Sequence, residues 1–409
     1  MVLSNTTYPP HVRVDRELRD LRGDGHRLFL MARQGLGQAR AETVNGVHVI
    51  RVPLPCQRHK PLAELIYYFW QRYIIYFHIR RACGKHRIDA LHVHDLPYAL
   101  ATTLAGEALR LPVIFDMHEH YTDVFRAGMR ARHGRLTIPL FALLLALFRR
   151  EERCACRAAH RVIVVAREHI PRLRRLGAPA ERILEVTNAE DIDHFAGLPL
   201  RQDLLDRYRD DFVLTYFGGF DALRGLETVI QAMPLLLKQV PNVRLLLVGS
   251  GYLEAALHAL AEQLGLGDRV VFPGYQPAAL LPTYVELSAV GVIPHVATPA
   301  VEMTMPNKIF QFMMLGKPVL VSNVPPLVRV VRDADCGLVF RQRDPDSFAA
   351  AVCQLRDPQL RRRLGENGRR AVYDRYNWRQ VVQPLLQVYR DLERRPAAAP
   401  NVAPPGTCR

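Results

Sequence analysis

Short runs of consecutive apolar, β-branched residues alternate along this chain with longer stretches in which apolar residues recur every three or four positions. Runs of the first kind predict buried strands, and stretches of the second kind predict helices packed on a sheet. In the first half, the predicted strands are Val47–Val52, Ala90–His94, Val113–Met117, Arg161–Val165 and Ile183–Val186, and the predicted helices include Leu62–Ala82, Tyr98–Leu109, Thr137–Ala159 and Arg167–Leu176.

The same alternation returns in the second half of the chain. Its predicted strands are Phe212–Phe217, Val243–Val248, Val270–Phe272, Val290–Ile293 and Pro318–Val321, and its predicted helices are Leu223–Leu237, Leu253–Leu264, Ala278–Glu286, Asn307–Met314 and Pro345–Leu355. Continuous apolar strands that alternate with helices indicate parallel sheets covered on both faces. We therefore predict an α/β protein of two tandem doubly wound, Rossmann-like domains, with ligands at the carboxyl ends of the strands.

Composition and charge narrow the class of protein. The chain has 409 residues, 49% of them hydrophobic, which excludes disorder and coiled coil as the main class. The net charge is +15, and residues 51–150 alone carry 15 basic against 7 acidic side chains. A basic region suits a phosphorylated ligand, an anionic membrane or nucleic acid, but no nucleic-acid recognition motif is present; a solvated arginine-rich surface is the plain alternative.

Cysteine usage and the amino-terminal composition bear on location. Seven cysteines are scattered, and without a second close pair beside Cys154 and Cys156 they predict reduced thiols rather than a zinc site. The first thirty residues are too charged for a signal peptide, and no run of 18 apolar residues occurs. We expect a cytoplasmic protein.

Three segments carry candidate phosphate chemistry. In VLTYFGGFDALRG a strand ends at Gly218-Gly219 and a helix with Arg224 at its start follows, which places backbone N–H groups and a cation where phosphate binds. In VRLLLVGSGYLEA, Gly249 and Gly251 follow a second strand without the G-x-G-x-x-G dinucleotide pattern. Each segment is also compatible with a plain strand-to-helix turn.

The third segment is VEMTMPNKIFQFMMLGK. Pro306 and Asn307 begin a helix, and Lys308 lies in its first turn, where its charge opposes the helix dipole. An anion bound at this helix terminus would remove that conflict, whereas an exposed lysine on a solvated face would explain it without a ligand.

With these segments the chain resembles the GT-B glycosyltransferases of the retaining family 4 type. The resemblance covers nearly the whole chain and rests on the stretches TTYPPHVRVDRELRDLRGDGH, DALHVHDLPYA, VIFDMHEHYTD, ILEVTNAEDIDHF, YFGGFDALRGLETVIQA, LLLVGSGYLEAAL, VVFPGYQPAALLPTYVELSAVGVIP, PNKIFQFMMLGKPVL and ENGRRAVYDRYNW. It implies an acceptor-binding domain at 1–196, a nucleotide-sugar-binding domain at 207–374 and a cleft between them. It also implies a helix at 375–394 that crosses back to the first domain; the Pro/Ala-rich tail 395–409 is expected to be disordered.

The resemblance also assigns roles to residues. It implies that His118, Arg224 and Lys308 act on the reacting donor and that His94, Asp95 and Glu119 line the acceptor side. Two family positions differ here, because Gly219 stands at an arginine position and Gln311 at a glutamate position. The residues it implies for donor binding are Gly218, Gly219, Gly249, Gly251, Tyr275, Glu302, Pro306, Asn307 and Gln311.

Histidines raise a separate possibility. His92 and His94 share one face of a strand end, and His118 and His120 flank Glu119 at the next, a spacing that a metal hydrolase could use. The rest of the sequence offers no matching ligands, so we predict no metal and no cofactor. Interior histidines without a ligand are the alternative for both His94 and His118.

Two helices bear on the acceptor. The segment KPLAELIYYFWQRYIIYFHIRR is rich in aromatic residues, and RARHGRLTIPLFALLLALFRREER places a 13-residue apolar stretch between basic flanks. Such segments fit helices that lie in a membrane interface, or helices packed under the first sheet. The first of these interpretations predicts peripheral contact with an anionic membrane, at the inner face of the plasma membrane.

The resemblance implies a glycosyltransferase that retains the anomeric configuration and needs no divalent metal. It would move a sugar from a UDP- or GDP-sugar to a lipid-linked or saccharide acceptor in surface polysaccharide or glycan biosynthesis. Two alternatives stay open: a non-catalytic nucleotide-sugar-binding scaffold, favoured by Gly219 and Gln311, and a nucleotide-sugar epimerase of the same fold.

Overall fold

The computed structural model describes residues 1–9, 11–54, 61–118, 120–123, 125–126 and 138–394. The predictions made from the sequence for Glu119 and for the tail 395–409 concern residues outside these ranges. Contacts divide the chain into two units, one of residues 1–187 with 382–394 and one of residues 188–381. Residues 188–196, assigned to the first domain from sequence, belong to the second unit, because Asn188 donates to the Met305 carbonyl oxygen at 2.8 Å.

The first unit is built on an eight-stranded sheet in the order β3-β4-β2-β1-β5-β6-β7-β8, parallel except for the antiparallel β3–β4 pair. Its strands are β1 (Val2–Thr7), β2 (Phe29–Arg33), β3 (Ala41–Val44), β4 (Val47–Val52), β5 (Leu91–His94), β6 (Val113–Met117), β7 (Arg161–Val164) and β8 (Ile183–Glu185). Its helices are α1 (Val12–Gly23), α2 (Pro61–Lys85), α3 (Ala99–Leu109), α4 (Ile138–Ala158) and α5 (Ile170–Leu176).

The second unit has a six-stranded parallel sheet in the order β11-β10-β9-β12-β13-β14. Its strands are β9 (Phe212–Phe217), β10 (Val243–Val248), β11 (Val270–Gly274), β12 (Val290–Ile293), β13 (Val319–Ser322) and β14 (Gly337–Phe340). Its helices are α6 (Ile192–Ala196), α7 (Gln202–Arg207), α8 (Leu226–Leu237), α9 (Glu254–Gln263), α10 (Leu281–Glu286), α11 (Asn307–Met314), α12 (Pro325–Ala334), α13 (Pro345–Gln354), α14 (Pro358–Asp374) and α15 (Trp378–Val381).

The last helix, α16 (Gln383–Glu393), belongs to the first unit. Leu385 and Val388 are buried, the Tyr389 hydroxyl lies 2.9 Å from His92 Nδ1, and Arg390 makes two hydrogen bonds to Asp24 at 2.7 and 2.9 Å. The first unit is therefore assembled from both ends of the described chain.

In both sheets the strand order reverses next to the first strand of the unit, β1 beside β5 and β9 beside β12. Ligands of doubly wound folds bind at the carboxyl ends of the strands at such a reversal. The prediction of two tandem doubly wound units is confirmed. A ligand of the first unit would therefore meet side chains that follow β1, β5 and β6. A ligand of the second unit would meet those that follow β9 and β12.

Two further observations complete the fold. Cys154 is disulfide-bonded, so the prediction of reduced thiols is wrong there, while Cys83, Cys156, Cys336 and Cys353 are free. Within the described ranges, no helix combines the length and apolar character needed to cross a membrane.

Candidate functional site

The glycines that follow β9 and β10 bring two loops of the second unit into backbone contact. Gly218 has φ 138° and donates its N–H to the Val248 carbonyl oxygen at 2.9 Å. A Cβ on Gly249 would lie 1.9 Å from the Gly218 carbonyl oxygen, and one on Gly251 would lie 2.4 Å from the Phe220 carbonyl oxygen. These two glycines are thus required by the protein's own backbone, whatever ligand approaches.

Within the described part of the chain, the Gly219 N–H has no hydrogen-bond partner, and the Gly219 carbonyl oxygen accepts a hydrogen bond from the Tyr216 hydroxyl at 2.7 Å. The helix expected from Leu223 begins at Leu226 instead, because Asp221 holds the preceding turn: its Oδ1 accepts the Leu223 N–H at 2.9 Å. The Gly219 amide is therefore available to an anion at the start of this loop.

Arg224 and Lys308 lie beside this loop. Arg224 Nε is 3.0 Å from Asp221 Oδ2, and the Arg224 side chain is one-third exposed. Lys308 is half-buried, with Nζ 3.9 Å above the centre of the Tyr216 ring, and a Cβ on Gly218 would lie 2.7 Å from that Nζ. In the described ranges, no carboxylate pairs with Lys308.

Burial, and secondarily the positive charge of Arg224, holds the pKa of Lys308 well below its usual range. Burial also lowers the pKa of His295, which follows β12, with further lowering by Lys308 and Arg224. Sequence reasoning missed His295, whose Nε2 is buried without a partner among the described residues. Arg224, Lys308 and His295 thus lie near a single carboxylate, Asp221. Positive charge on Lys308 and His295 is disfavoured here without a counterion, and an anionic ligand would supply one.

The amino terminus of α11 adds backbone donors. Pro306 is its N-cap and supplies no side-chain hydrogen bond, and Asn307 Oδ1 is buried without a partner in the part of the chain that the structure describes. One turn along the helix, Gln311 Nε2 donates to Glu190 Oε2 at 2.8 Å. The Glu302 side chain forms no ion pair within the described chain, and Tyr275 is 77% exposed after β11.

A second polar cluster lies in the first unit, where β5 and β6 end. Asp116 is fully buried on β6, and its Oδ2 accepts a hydrogen bond from Arg13 Nη2 at 3.2 Å. Arg13 Nε is also 2.9 Å from Glu17 Oε1, one turn further along α1. His118, just after β6, places Nε2 3.1 Å from Asp116 Oδ1.

His94 and Asp95 join this cluster from the end of β5. His94 is 2% exposed, with Nδ1 3.4 Å from His118 Nε2 and Nε2 3.6 Å from Glu17 Oε2, so it lies beneath His118 in the interior. Asp95 Oδ1 accepts the backbone N–H of His118 at 3.1 Å. Sequence reasoning missed Arg13, Glu17 and Asp116. The signal for the first two was a charged pair at positions i and i+4 in the apolar stripe of α1.

Four of these side chains are of the kinds that hold metals. One ligand atom from each of Glu17, His94, Asp116 and His118 lies within 4.8 Å of the others. However, the Arg13 guanidinium already lies between the two carboxylates and supplies a positive charge there. The arrangement is therefore an ion network centred on the Arg13 guanidinium.

Comparison with known families identifies the chain. The family model described as "Glycosyl transferases group 1" matches residues 203–371, and the model "Glycosyl transferase 4-like domain" matches residues 10–189. The chain belongs to the group 1 glycosyltransferases. The basic cluster of this glycosyltransferase lies in the part matched by the first model, and its arginine-centred network lies in the part matched by the second.

Similar proteins carry names consistent with this family. Phosphatidyl-myo-inositol mannosyltransferase of Mycolicibacterium smegmatis is 26% identical over 76% of this chain and 73% of its own length. Sucrose-phosphate synthase from Thermosynechococcus elongatus has a TM-score of 0.74 at 22% identity, covering 96% of this chain and 98% of that one. Anabaena HepE in complex with UDP-glucose has a TM-score of 0.66 at 16% identity, covering 95% and 98%. These structures share the GT-B fold with this glycosyltransferase.

Proposed function

We propose that this glycosyltransferase transfers a sugar from a UDP- or GDP-sugar to a lipid-linked or saccharide acceptor, with retention of configuration and without a divalent metal. The observation that carries the proposal is the basic cluster of Arg224, Lys308 and His295 beside the Gly219 amide. The complex of HepE with UDP-glucose supports a nucleotide-sugar donor, and the name of the mycobacterial relative supports a lipid acceptor.

In this proposal the chemical task of the cluster is to stabilise the departing nucleoside diphosphate. Negative charge grows on the diphosphate as the glycosidic bond breaks, and preorganised donors lower the barrier where charge develops. Lys308 and Arg224 would supply cations, and the Gly219 amide and the amino terminus of α11 would supply N–H groups. The acceptor hydroxyl would pass its proton to the leaving phosphate, on the sugar face that retention requires. The product is proposed to enter surface polysaccharide or glycan biosynthesis.

Substitution of the two cations tests the phosphate assignment. Arg224→Ala and Lys308→Ala should each weaken donor binding or turnover by about 1.5–3 kcal/mol, as expected for a charge-assisted hydrogen bond. The matched control is Lys317→Ala, since Lys317 pairs with Glu286 at 3.1 Å and contacts neither glycine loop. Titration calorimetry with UDP- and GDP-sugars measures the effect, and unchanged affinity in both variants would remove the assignment.

A transfer assay tests the reaction itself. The purified chain is incubated with UDP-, GDP- and ADP-sugars with and without lipid-linked and saccharide acceptors, in the presence of EDTA. Transfer in EDTA with retained anomeric configuration by proton NMR is the expected result. Tight nucleotide binding without turnover would favour the scaffold instead, and conversion of the donor sugar without acceptor would favour the epimerase.

The pairing of Gln311 bears on the scaffold alternative. Glu190 is 5% exposed and accepts hydrogen bonds from Gln311 Nε2 at 2.8 Å and from the Asp191 N–H at 3.1 Å. A glutamate at 311 would set two buried carboxylates against each other, which is destabilising. Glutamine is thus suited to this neighbourhood, and its departure from the family pattern need not signal lost activity.

Exchanging the amide and the carboxylate between positions 190 and 311 tests this pairing. Gln311→Glu should lower both donor affinity and melting temperature, while the double variant Glu190→Gln/Gln311→Glu should recover most of both, because it restores an amide–carboxylate hydrogen bond. Glu190→Gln alone is the matched single variant. A Gln311→Glu enzyme that is as stable and as active as the parent would contradict this account of the pair.

We also propose peripheral contact with an anionic membrane at the inner face of the plasma membrane, through α2 and α4. Trp70, Tyr73 and Phe77 form one stripe on α2 and are 62%, 63% and 63% exposed, while Ile75 and Ile79 on the opposite face are buried. Exposed basic residues accompany the stripe on both helices: Arg80, Arg81, Lys85, Arg149, Arg150 and Arg153. Aromatic rings beside cations suit the headgroup region of an anionic bilayer.

Vesicle sedimentation tests this contact. The chain should bind phosphatidylglycerol vesicles in a salt-sensitive manner and phosphatidylcholine vesicles weakly. Trp70→Ser/Phe77→Ser should reduce binding, whereas Tyr373→Ser, which changes a 43% exposed ring in the second unit, should not. Equal binding by the stripe variant and the parent would dismiss the stripe.

A further inference from the structure

The His118 ring sits between carboxylates from two different strands. Nε2 lies 3.1 Å from Asp116 Oδ1, and Nδ1 lies 3.9 Å from Asp95 Oδ2. Asp95 Oδ1 also accepts the backbone N–H of His118 at 3.1 Å, so Asp95 holds the backbone beside the ring while Asp116 contacts the ring itself. Two carboxylates this close to the ring stabilise the doubly protonated imidazolium by their charge, although only Asp116 lies within hydrogen-bond distance of a ring nitrogen.

The neighbouring histidine, His94, is suited to be neutral and to accept a hydrogen bond from His118. His94 Nδ1 is 3.4 Å from His118 Nε2, and His94 Nε2 is 3.6 Å from Glu17 Oε2. A His94 ring that is neutral, with its proton on Nε2, faces Glu17 with the donor and His118 with the lone pair. Burial, and then the positive charges of the neighbouring histidines, keeps the pKa of His94 well below its usual range, which agrees with a neutral ring.

We propose that Asp116 is a positioning residue that fixes both the orientation and the positive charge of His118, leaving His118 Nδ1–H to donate to a ligand. Nδ1 is the ring nitrogen available to a ligand, because its nearest carboxylate oxygen, Asp95 Oδ2 at 3.9 Å, is beyond hydrogen-bond distance. The side chain of His118 is 13% exposed, so the ring is not fully closed off from a ligand. The inference rests on the proposed function only in naming that ligand, the sugar or diphosphate of the donor.

The charges around His118 decide whether the cation persists. Burial and Arg13 disfavour it, but Asp116 and Asp95 outweigh them, and the pKa of His118 is raised from its ordinary value. Arg13 in turn keeps Asp116 ionised: despite burial, the pKa of Asp116 is held well below its usual range. The titratable and charged groups that surround the ring are Arg13 and Glu17 on α1, His11 before it, His92, His94 and Asp95 at β5, and Asp116 on β6.

The sign of the pH dependence follows. Below the pKa of His118 the Nδ1 position donates a hydrogen bond, and above it the same nitrogen becomes an acceptor. Donor affinity should therefore fall as the pH rises through that pKa. Removing the Asp116 charge should move the fall to lower pH, because the cation loses the carboxylate that stabilises it.

Nuclear magnetic resonance of ¹⁵N-labelled histidine in the full chain tests this without requiring activity. The His118 signal, assigned by its loss in His118→Gln, should titrate above its ordinary range in the parent, and Asp116→Asn should lower the midpoint by roughly 1–3 pH units. Asp24→Asn, which changes another arginine-paired aspartate of the same unit, should leave it in place. A His118 that is neutral at pH 6.5 in the parent, or unmoved in Asp116→Asn, overturns the proposal.

Two additional measurements keep the test decisive. If Asp116→Asn does not fold, Asp95→Asn should lower the midpoint by a smaller amount, and no change would overturn the proposal. Elemental analysis that finds one tightly bound divalent metal per chain would also overturn it, since the network would then be a metal site. Donor binding as a function of pH is a separate arm: a confirmed His118 titration with no nucleotide-sugar binding would defeat the proposed function and leave this inference standing.

Discussion

At the scale of single residues, Asp95 combines backbone strain with a side chain that contacts His118. Its φ of 64° and ψ of 165° fall in a region that is essentially restricted to glycine, and such residues cost of order 1–3 kcal/mol. The structure keeps an aspartate there, because its carboxylate accepts the His118 backbone N–H at 3.1 Å. Strain of this kind concentrates at functional sites, which supports a role for Asp95 beyond folding.

Two substitutions separate the strain from the hydrogen bond. Asp95→Ala and Asp95→Gly both lose the bond to His118, but only glycine relieves the backbone. The glycine variant should therefore be about 1–2 kcal/mol more stable than the alanine variant in urea unfolding. At the control position Asp206, inside helix α7, the alanine variant should instead be about 0.5–1 kcal/mol more stable than the glycine variant. Equal stabilities of the two Asp95 variants would show that the backbone is not strained.

At the scale of elements, the loops after β9 and β10 are coupled through glycine backbones. Gly249 has φ 141°, and a Cβ there would lie 1.9 Å from the Gly218 carbonyl oxygen. The Gly218 loop in turn lies against Lys308 of α11. A change at Gly249 should thus reach the basic cluster through one backbone contact.

Gly249→Ala tests this coupling. The variant should lose at least about 2 kcal/mol of unfolding free energy and bind donor more weakly, because the Gly218 loop must move. Gly265→Ala is the matched control: its φ of 65° also disfavours alanine, but nothing lies within 4 Å of its added Cβ. If both variants lose the same stability and neither loses donor affinity, the loops are not coupled in this way.

Sequence patterns predicted most of the buried strands, but β2 was missed although its three central residues are buried. The strands β9, β10 and β12 are continuous apolar runs and were predicted directly. Strand β3 was missed because it is exposed and polar, although the adjoining β4 was predicted with its observed bounds and Asn45-Gly46, both with positive φ, form the turn between them.

The candidate site, too, was only partly predicted from the sequence. The glycine turn, Arg224 and the helix start at Asn307 were evident because each motif is contiguous. The network of Arg13 and Asp116 was not, since its members are 103 residues apart and a charged pair on a helix ordinarily indicates a solvated face. Whether such a pair is buried depends on the strand order of the sheet, which one sequence does not reveal.

At the scale of the whole molecule, the second unit is one continuous segment, 188–381, while the first unit is completed by α16 from the end of the described chain. Leu385 on α16 and Leu355 beyond α13 are both fully buried, but they belong to different units. Leu385→Ala should therefore destabilise the first unit and Leu355→Ala the second, each by about 2–5 kcal/mol. Hydrogen exchange read by mass spectrometry should show faster exchange in β5 and β6 for Leu385→Ala and in β9 and β10 for Leu355→Ala. The two positions are only 30 residues apart in sequence, so faster exchange in the same unit for both variants would refute the assignment of α16 to the first unit.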